Sequence, residues 1–125
     1  MQIRRPIRGM IVAEVLKNAL IIAAIDAPYL FLVSGLFSPM IIDIQGGSPM
    51  QFRLWAAVPV YVALGYLLTV ATSWRHAALI GAATYAVYDF TNLAAFKKYT
   101  LRFAVQDTFW GATLMAIAFK VGQMF

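Results

Sequence analysis

The chain has 125 residues, of which 62% are hydrophobic and 12% charged, and its mean hydropathy is +0.77. A soluble domain is ~45–50% apolar and ~25% charged, and a chain of this size buries only about two-thirds of its surface. The composition therefore argues against a soluble domain and favours a single integral membrane domain over residues 1–125. The absence of cysteine excludes disulfides and thiolate metal sites.

The first predicted element is a transmembrane helix over residues 9–36, because the apolar run exceeds the ~20 residues that cross a bilayer. The basic segment 1–8 resembles the start of a signal peptide. No small-residue cleavage site follows a short apolar stretch, so we interpret the segment as the flank of a retained span. Two Ser-Pro pairs and a Gly-Gly then predict an irregular loop over residues 37–53.

Three further spans are predicted over residues 54–74, 76–96 and 104–123, joined by tight connections. The expected fold class is therefore all-α, a four-helix transmembrane bundle. Glycines 65, 81 and 111 are expected to let helices approach closely. Trp55, Trp74 and Tyr99 lie near predicted boundaries, where we interpret them as an interfacial aromatic belt.

The orientation depends on the lysines and arginines that flank the spans. The two sides carry equal numbers of them: Arg4, Arg5, Arg8 and Arg75 on one side, and Arg53, Lys97, Lys98 and Arg102 on the other. Lys17 and Lys120 lie nearer the N-terminal side, and the first helix usually dominates the orientation. The sequence therefore predicts that both termini are cytoplasmic. The net charge of +5 is assigned to lipid headgroups and not to nucleic acid.

Three aspartates fall inside the predicted spans. Asp26, Asp89 and Asp107 lie ~15, ~10 and ~5 Å deep at ~1.5 Å per residue, and antiparallel threading puts all three on the side opposite the termini. Because a lipid-facing charge is costly, their polar stripes are expected to face the bundle. The predicted polar intramembrane cluster consists of Asp26, Tyr85, Tyr88, Asp89, Thr91, Asn92, Asp107 and Trp110.

Two interpretations of this cluster remain open. It is either a buried hydrogen-bonded group that holds the helices together, or a proton or cation relay or small polar site. A transport path needs access from both sides, and the opposite half offers only Glu14, Lys17 and Lys120, which favours the first interpretation. Glu14 and Lys120 could form an interhelical charge pair, with Lys17 sharing Glu14. The alternative is that both lysines extend to the headgroups.

Two motifs resemble those of a known family. The pattern YxxYDxTNL occupies residues 85–93, and DxxWG occupies residues 107–111. With Asp26 in the first span and Pro59 in the second, the chain resembles a small four-helix membrane family known as domain of unknown function 2177. It departs from the family pattern at Tyr29, where a tryptophan is usual. The resemblance implies the four-helix fold and a shared aspartate cluster but no activity, since none is established for the family.

The expected function is that of a non-enzymatic, structural or accessory subunit of a larger membrane-associated assembly. The alternative is a small proton-coupled transporter or channel that uses the aspartate cluster. An enzyme ranks last because no nucleophile–base pair is evident. No cofactor or metal is expected. The expected partners are the lipid bilayer and other protein subunits or copies of the chain itself, with no nucleic acid. The resemblance extends to large DNA viruses and algae, so the alternative location is the internal membrane of such a virus or an organelle membrane.

Overall fold

The computed structural model describes residues 8–49 and 53–125, and within them the chain forms four α-helices and no strand. The helices are α1 (Arg8–Ile44), α2 (Leu54–Val70), α3 (Trp74–Ala95) and α4 (Leu101–Gly122). The predicted all-α, four-helix fold is confirmed. Most of the predicted basic segment, including Arg4 and Arg5, and part of the predicted first loop lie outside the described residues.

The first helix is longer than predicted. Residues 37–44, expected as part of an irregular loop, continue α1 through Pro39 to Ile44. A proline removes one backbone donor from a helix interior, which is unfavourable by itself. Here the next residue, Met40, is buried against Tyr99, Phe103 and Ala104. We attribute the continuation of the helix to this apolar packing.

The chain turns after α1 at the two adjacent glycines. Gly46 has a φ of +68° and Gly47 a φ of +98°, a region that favours glycine. The Gly47 N–H donates to the Ile42 carbonyl at 2.9 Å, and the Gly46 N–H donates to the Asp43 carbonyl at 3.2 Å. This is the Schellman pattern that satisfies the last carbonyls of a helix. The Gly-Gly pair therefore ends α1 as a turn signal should, but later than the first Ser-Pro pair suggested.

Side-chain caps set the starts of α3 and α4. The Ser73 hydroxyl accepts from the His76 N–H at 3.1 Å, and the Thr100 hydroxyl accepts from the Phe103 N–H at 3.2 Å. Such caps satisfy backbone donors that a helix start leaves free. Helices α3 and α4 consequently begin at Trp74 and Leu101, a little earlier than predicted, and α2 ends earlier, at Val70.

The helices pack as two antiparallel pairs, α1 with α2 and α3 with α4, and α4 also contacts α1. Glycines allow the closest approaches. A Cβ on Gly65 would meet the backbone of Val15 and Ala19 on α1, and a Cβ on Gly81 would meet the backbone of Gly111 on α4. The predicted close approach at these glycines is therefore confirmed, and it draws α3 and α4 together beside the aspartates.

Two apolar clusters lie along the bundle. The first joins all four helices around buried residues of α1, α2, α3 and α4: Ile22, Leu64, Leu68, Ala77, Leu114, Met115 and Ala118. The second, around Met40, Tyr99, Phe103 and Ala104, fastens the end of α1 to the α3–α4 connection. The aspartates occupy the region between these clusters.

The outer surface is strongly apolar. Phe31, Leu32 and Leu20 are 81%, 79% and 73% exposed, whereas the buried polar side chains are Asn18, Asp26, Asp89 and Asp107. Among the described residues, one helical segment, Met10–Ile44, is long and apolar enough by length and composition to cross a membrane. Leu54–Val70 is also apolar but shorter.

Candidate functional site

Three helices each supply one buried aspartate to the centre of the bundle. Asp26 comes from α1, Asp89 from α3 and Asp107 from α4, with exposed fractions of 4%, 0% and 7%. A buried carboxyl group is costly unless its oxygens have hydrogen-bond partners. The partners of each aspartate therefore define what this site is. We call the three aspartates and their donors the aspartate cluster.

Asp26 is held by two aromatic donors from two other helices. The Tyr61 hydroxyl of α2 donates to Asp26 Oδ2 at 2.5 Å, and the Trp110 indole of α4 donates to Asp26 Oδ1 at 2.7 Å. Both carboxyl oxygens thus accept one bond each. One carboxyl group therefore joins α1 to α2 and to α4.

Asp107 receives its donor from α1. The Tyr29 hydroxyl donates to Asp107 Oδ1 at 3.0 Å. The Tyr29 ring stacks on the Trp110 ring, with centroids 4.4 Å apart and planes 8° from parallel. Stacked aromatic pairs of this kind contribute about 0.5–1.5 kcal/mol beyond the area that they bury. The stacked pair therefore couples the Asp26 bond to the Asp107 bond.

Asp89 is the most deeply buried of the three. The Tyr99 hydroxyl donates to Asp89 Oδ1 at 2.7 Å. The Asp107 carboxyl group lies within hydrogen-bonding range of Asp89, and Asp89 Oδ2 has no donor among the described residues. Tyr99 lies in the α3–α4 connection, and burial, followed by its bond to Asp89, raises the pKa of the Tyr99 phenol above its ordinary value.

The other predicted members of the cluster lie at its edge. The Tyr85 ring packs on Gly111, so it lines the α3–α4 contact. Asn92 is half-buried and lies one helical turn after Tyr88 on α3. Tyr88 is 53% exposed. Thr91 is exposed and is not among the side chains that bond to the aspartates. The structure thus brings the three aspartates and Trp110 together and leaves Thr91 outside.

The aspartate cluster also contains three tyrosines that the sequence analysis did not assign to it: Tyr29, Tyr61 and Tyr99. The prediction that Tyr99 belongs to an interfacial belt is wrong, because this side chain is only 4% exposed and bonds to Asp89. Trp55 and Trp74, the other predicted belt residues, are exposed. The available signal for Tyr29 was its spacing of three residues from Asp26, which puts both on one helix face.

For the charged residues near the termini, the possible Glu14–Lys120 pair is not found in the described part of the chain, whereas the contact of Lys17 with Glu14 is present. Lys17 Nζ lies 3.3 Å from Glu14 Oε1 on the same helix, and it also donates to the Gly122 carbonyl at 3.3 Å. Lysine at this position satisfies a carbonyl at the end of α4. Lys120 is exposed, and the Glu14–Lys17 contact is the ion pair found in the described part of the chain. Near the termini, α1 and α4 are thus joined by a lysine–carbonyl bond.

The chemistry of the cluster is that of carboxyl groups, phenols and one indole. Within residues 8–49 and 53–125, no three histidine, aspartate or glutamate side chains lie close enough together to hold a metal ion. Each observed donor to an aspartate comes from a different helix or from a helix connection. The arrangement can therefore fix helix positions, and at Asp89 and Asp107 it can hold a proton.

A family model described as "Predicted membrane protein (DUF2177)" matches residues 11–124. No curated protein and no solved structure matches the chain.

Proposed function

We propose, since the chain belongs to the DUF2177 family of predicted membrane proteins, that all four helices cross a lipid bilayer. We propose further that the protein is a non-enzymatic, structural or accessory subunit of a larger membrane-associated assembly. Its partners are the bilayer and either other subunits or copies of itself, with no cofactor and no nucleic acid.

Helix lengths and the polarity of the bundle support the four crossings. Helices α3 and α4 have 22 residues each, or ~33 Å at ~1.5 Å per residue, against a bilayer core of ~30 Å. Their aspartates face inward and large apolar side chains face outward, including Leu79 and Phe109, which are 70% and 71% exposed. A surface of this kind is stable in contact with lipid.

The bonding of Asp26 is the observation that most favours a structural role. Both of its oxygens are occupied by donors from other helices, so this carboxyl group serves to connect helices. Two grooves open at the ends of the bundle, one lined by Asp43, Lys97 and Lys98, and one by Glu14, Lys17 and Asn18. Neither groove is lined by an aspartate of the cluster, which supports the interpretation of the cluster as architecture.

The test is the native size of the protein, extracted gently from its own membrane, with the accompanying chains identified by mass spectrometry. We expect stoichiometric migration with a larger assembly, and we expect Asp26→Ala to weaken that assembly. The control is Leu32→Ala, which alters an exposed apolar side chain and leaves the cluster intact. Migration of the wild type as a lone chain would contradict the proposal.

One observation favours a second candidate, the proton-coupled transporter or channel. Asp89 Oδ2 is buried without a donor beside Asp107, and intramembrane carboxyl groups commonly mark proton pathways. Reconstitution into vesicles tests this candidate through proton and small-solute flux. A transporter requires flux that disappears in Asp89→Asn while the protein accumulates normally, whereas an accessory subunit shows no flux in either form.

For location, we propose an integral membrane protein with both termini cytoplasmic. The basic side chains at the short connections support a bundle with charged ends, with Arg75 at the α2–α3 connection and Lys97 and Lys98 at the α3–α4 connection. The internal membrane of a large DNA virus or an organelle membrane is the alternative location.

A further inference from the structure

Asp89 has fewer hydrogen-bond donors around its carboxyl oxygens than Asp26 has. Asp26 accepts one hydrogen bond on each oxygen. Asp89 accepts one, from Tyr99 on Oδ1, and its Oδ2 has no donor. The Asp107 carboxyl group lies within hydrogen-bonding range of the Asp89 carboxyl group. Two ionised carboxylates only accept hydrogen bonds, so this contact requires a proton on one of them.

Among the described residues, the surroundings of the pair supply phenols and a further carboxyl group but no cationic side chain. Asp107 faces Tyr29 and Asp26 from α1, and Asp89 faces Tyr99 from the α3–α4 connection. Tyr61 of α2 bonds to Asp26, and Tyr85 and Tyr88 of α3 lie at the edge of the pair. Within the described residues, neither aspartate forms an ion pair with lysine, arginine or histidine. A proton on one of the two carboxyl groups would remove the second negative charge.

We propose that Asp89 and Asp107 form a proton-binding site in which the two carboxyl groups share one proton. The proton joins Asp89 Oδ2 to the Asp107 carboxyl group and leaves Asp89 Oδ1 and Asp107 Oδ1 to accept from Tyr99 and Tyr29. The site joins α3 to α4 in the same way that Asp26 joins α1 to α2. This inference is independent of whether the protein acts as an accessory subunit or as a transporter.

The site makes the stability of the bundle depend on pH with a definite sign. Aspartates exposed to water in the unfolded chain are ionised at neutral pH, whereas the folded pair holds one proton. The folded chain thus binds more protons than the unfolded chain, so the free energy of unfolding decreases as the pH rises from the ordinary aspartate pKa of ~3.9 to the range in which the folded pair releases its proton. Below the pKa of the unfolded aspartates the stabilisation is present in full.

The test is isotope-edited infrared spectroscopy of the full chain in lipid nanodiscs, with the aspartate carboxyl carbons labelled. At neutral pH we expect a labelled carbonyl absorption characteristic of a protonated carboxyl group. It should disappear in both Asp89→Asn and Asp107→Asn, because the amide supplies the missing donor and the remaining aspartate becomes a carboxylate. The matched control is Asp26→Asn, in which the absorption should persist.

A second measurement keeps the proposal testable if a variant folds poorly. The thermal midpoint of the wild type is followed from acidic to alkaline pH in the same nanodiscs, at fixed ionic strength with sodium or potassium as the cation. We expect the midpoint to fall as the pH rises, and this fall to be lost in Asp89→Asn and Asp107→Asn. Absence of the protonated absorption at neutral pH would overturn the proposal. So would a midpoint that requires sodium, since a metal cation and not a proton would then occupy the pair.

Discussion

Trp110 determines how α4 is placed against α1. Its indole N–H donates to Asp26, and its ring stacks on Tyr29, which donates to Asp107. An indole nitrogen can donate but not accept, so only an acceptor such as a carboxyl oxygen can face it. Rotation of α4 about its axis would break the indole bond and the ring stack together. A single side chain therefore selects one arrangement of these two helices.

The bond from Tyr61 to Asp26 can be tested by one substitution. Tyr61→Phe removes the hydroxyl and leaves Asp26 Oδ2 buried without its donor. We expect a loss of about 1–2 kcal/mol in the free energy of unfolding, given the usual cost of leaving a buried acceptor without its donor and the usual range for bonds between membrane helices. The measurement is denaturant-induced unfolding in detergent micelles.

The control for that experiment lies on the same helix. Tyr66 is 55% exposed, and its hydroxyl is not a donor to any aspartate of the cluster. Tyr66→Phe should therefore leave the free energy of unfolding nearly unchanged. Equal effects of the two substitutions would show that the Tyr61 hydroxyl does not stabilise the bundle through Asp26.

The meeting of the aspartates was accessible from the sequence, whereas most of their donors were not. Depth follows from counting residues along antiparallel helices, so Asp26, Asp89 and Asp107 could be placed at one side. Which side chains donate to the aspartates depends on the rotation of each helix about its axis and on the path of the α3–α4 connection, and neither can be read from the sequence. A tyrosine near a span boundary, such as Tyr99, fits an interfacial belt equally well by sequence. The structure assigns Tyr99 to the aspartate cluster, because its hydroxyl is buried and donates to Asp89.

At the scale of the elements, the α3–α4 contact depends on Gly81. A Cβ at this position would overlap the Gly111 backbone, which is not a flexible side chain that can move aside. We expect Gly81→Ala to separate the two helices and to reduce the free energy of unfolding by more than about 2 kcal/mol, at the upper part of the range for overpacking. Unfolding in detergent micelles measures this loss.

Gly35→Ala is the matched control, because a Cβ on Gly35 of α1 meets nothing within 4 Å. Replacing an unconstrained glycine inside a helix by alanine stabilises the helix by roughly 0.5–1 kcal/mol. The two substitutions should therefore act in opposite directions. A neutral Gly81→Ala would mean that α3 and α4 do not depend on this contact.

The length of α1 shows that tertiary packing can override a local turn signal in the sequence. Ser-Pro is a turn signal, and at residues 38–39 it predicted a loop. The helix continues because Met40 is 8% exposed and packs on Tyr99 and Phe103, which lie far along the chain. Such a contact between distant segments has no local pattern in the sequence. The Gly46–Gly47 turn was predictable because the left-handed backbone there is a property of the glycines themselves.

At the scale of the whole molecule, the absence of cysteine makes the proposed crossings directly testable. Arg75 and Lys98 are exposed and lie at the two short connections, at opposite ends of α3. Single cysteines introduced as Arg75→Cys and Lys98→Cys should react with a membrane-impermeant maleimide from opposite sides of sealed vesicles. Gln123→Cys, just after α4, should be labelled from the same side as Arg75→Cys.

The wild type, which has no thiol, is the control for this labelling. Labelling of both connections from one side would contradict a membrane crossing by α3. If Gln123→Cys is labelled from the cytoplasmic side, the proposed orientation of the termini holds. Labelling from the other side would reverse the orientation and leave the number of crossings unchanged.

The length of α1 has a mechanical consequence. Its 37 residues extend ~55 Å, well beyond a hydrocarbon core of ~30 Å, so a helix α1 that crosses the bilayer as proposed must tilt or project from it. A change in bilayer thickness alters that tilt. Met40 fastens the end of α1 to Tyr99, and Tyr99 donates to Asp89. If α1 crosses the bilayer as proposed, these contacting side chains link its tilt, and with it the membrane thickness, to Asp89, the most deeply buried carboxyl group among the described residues.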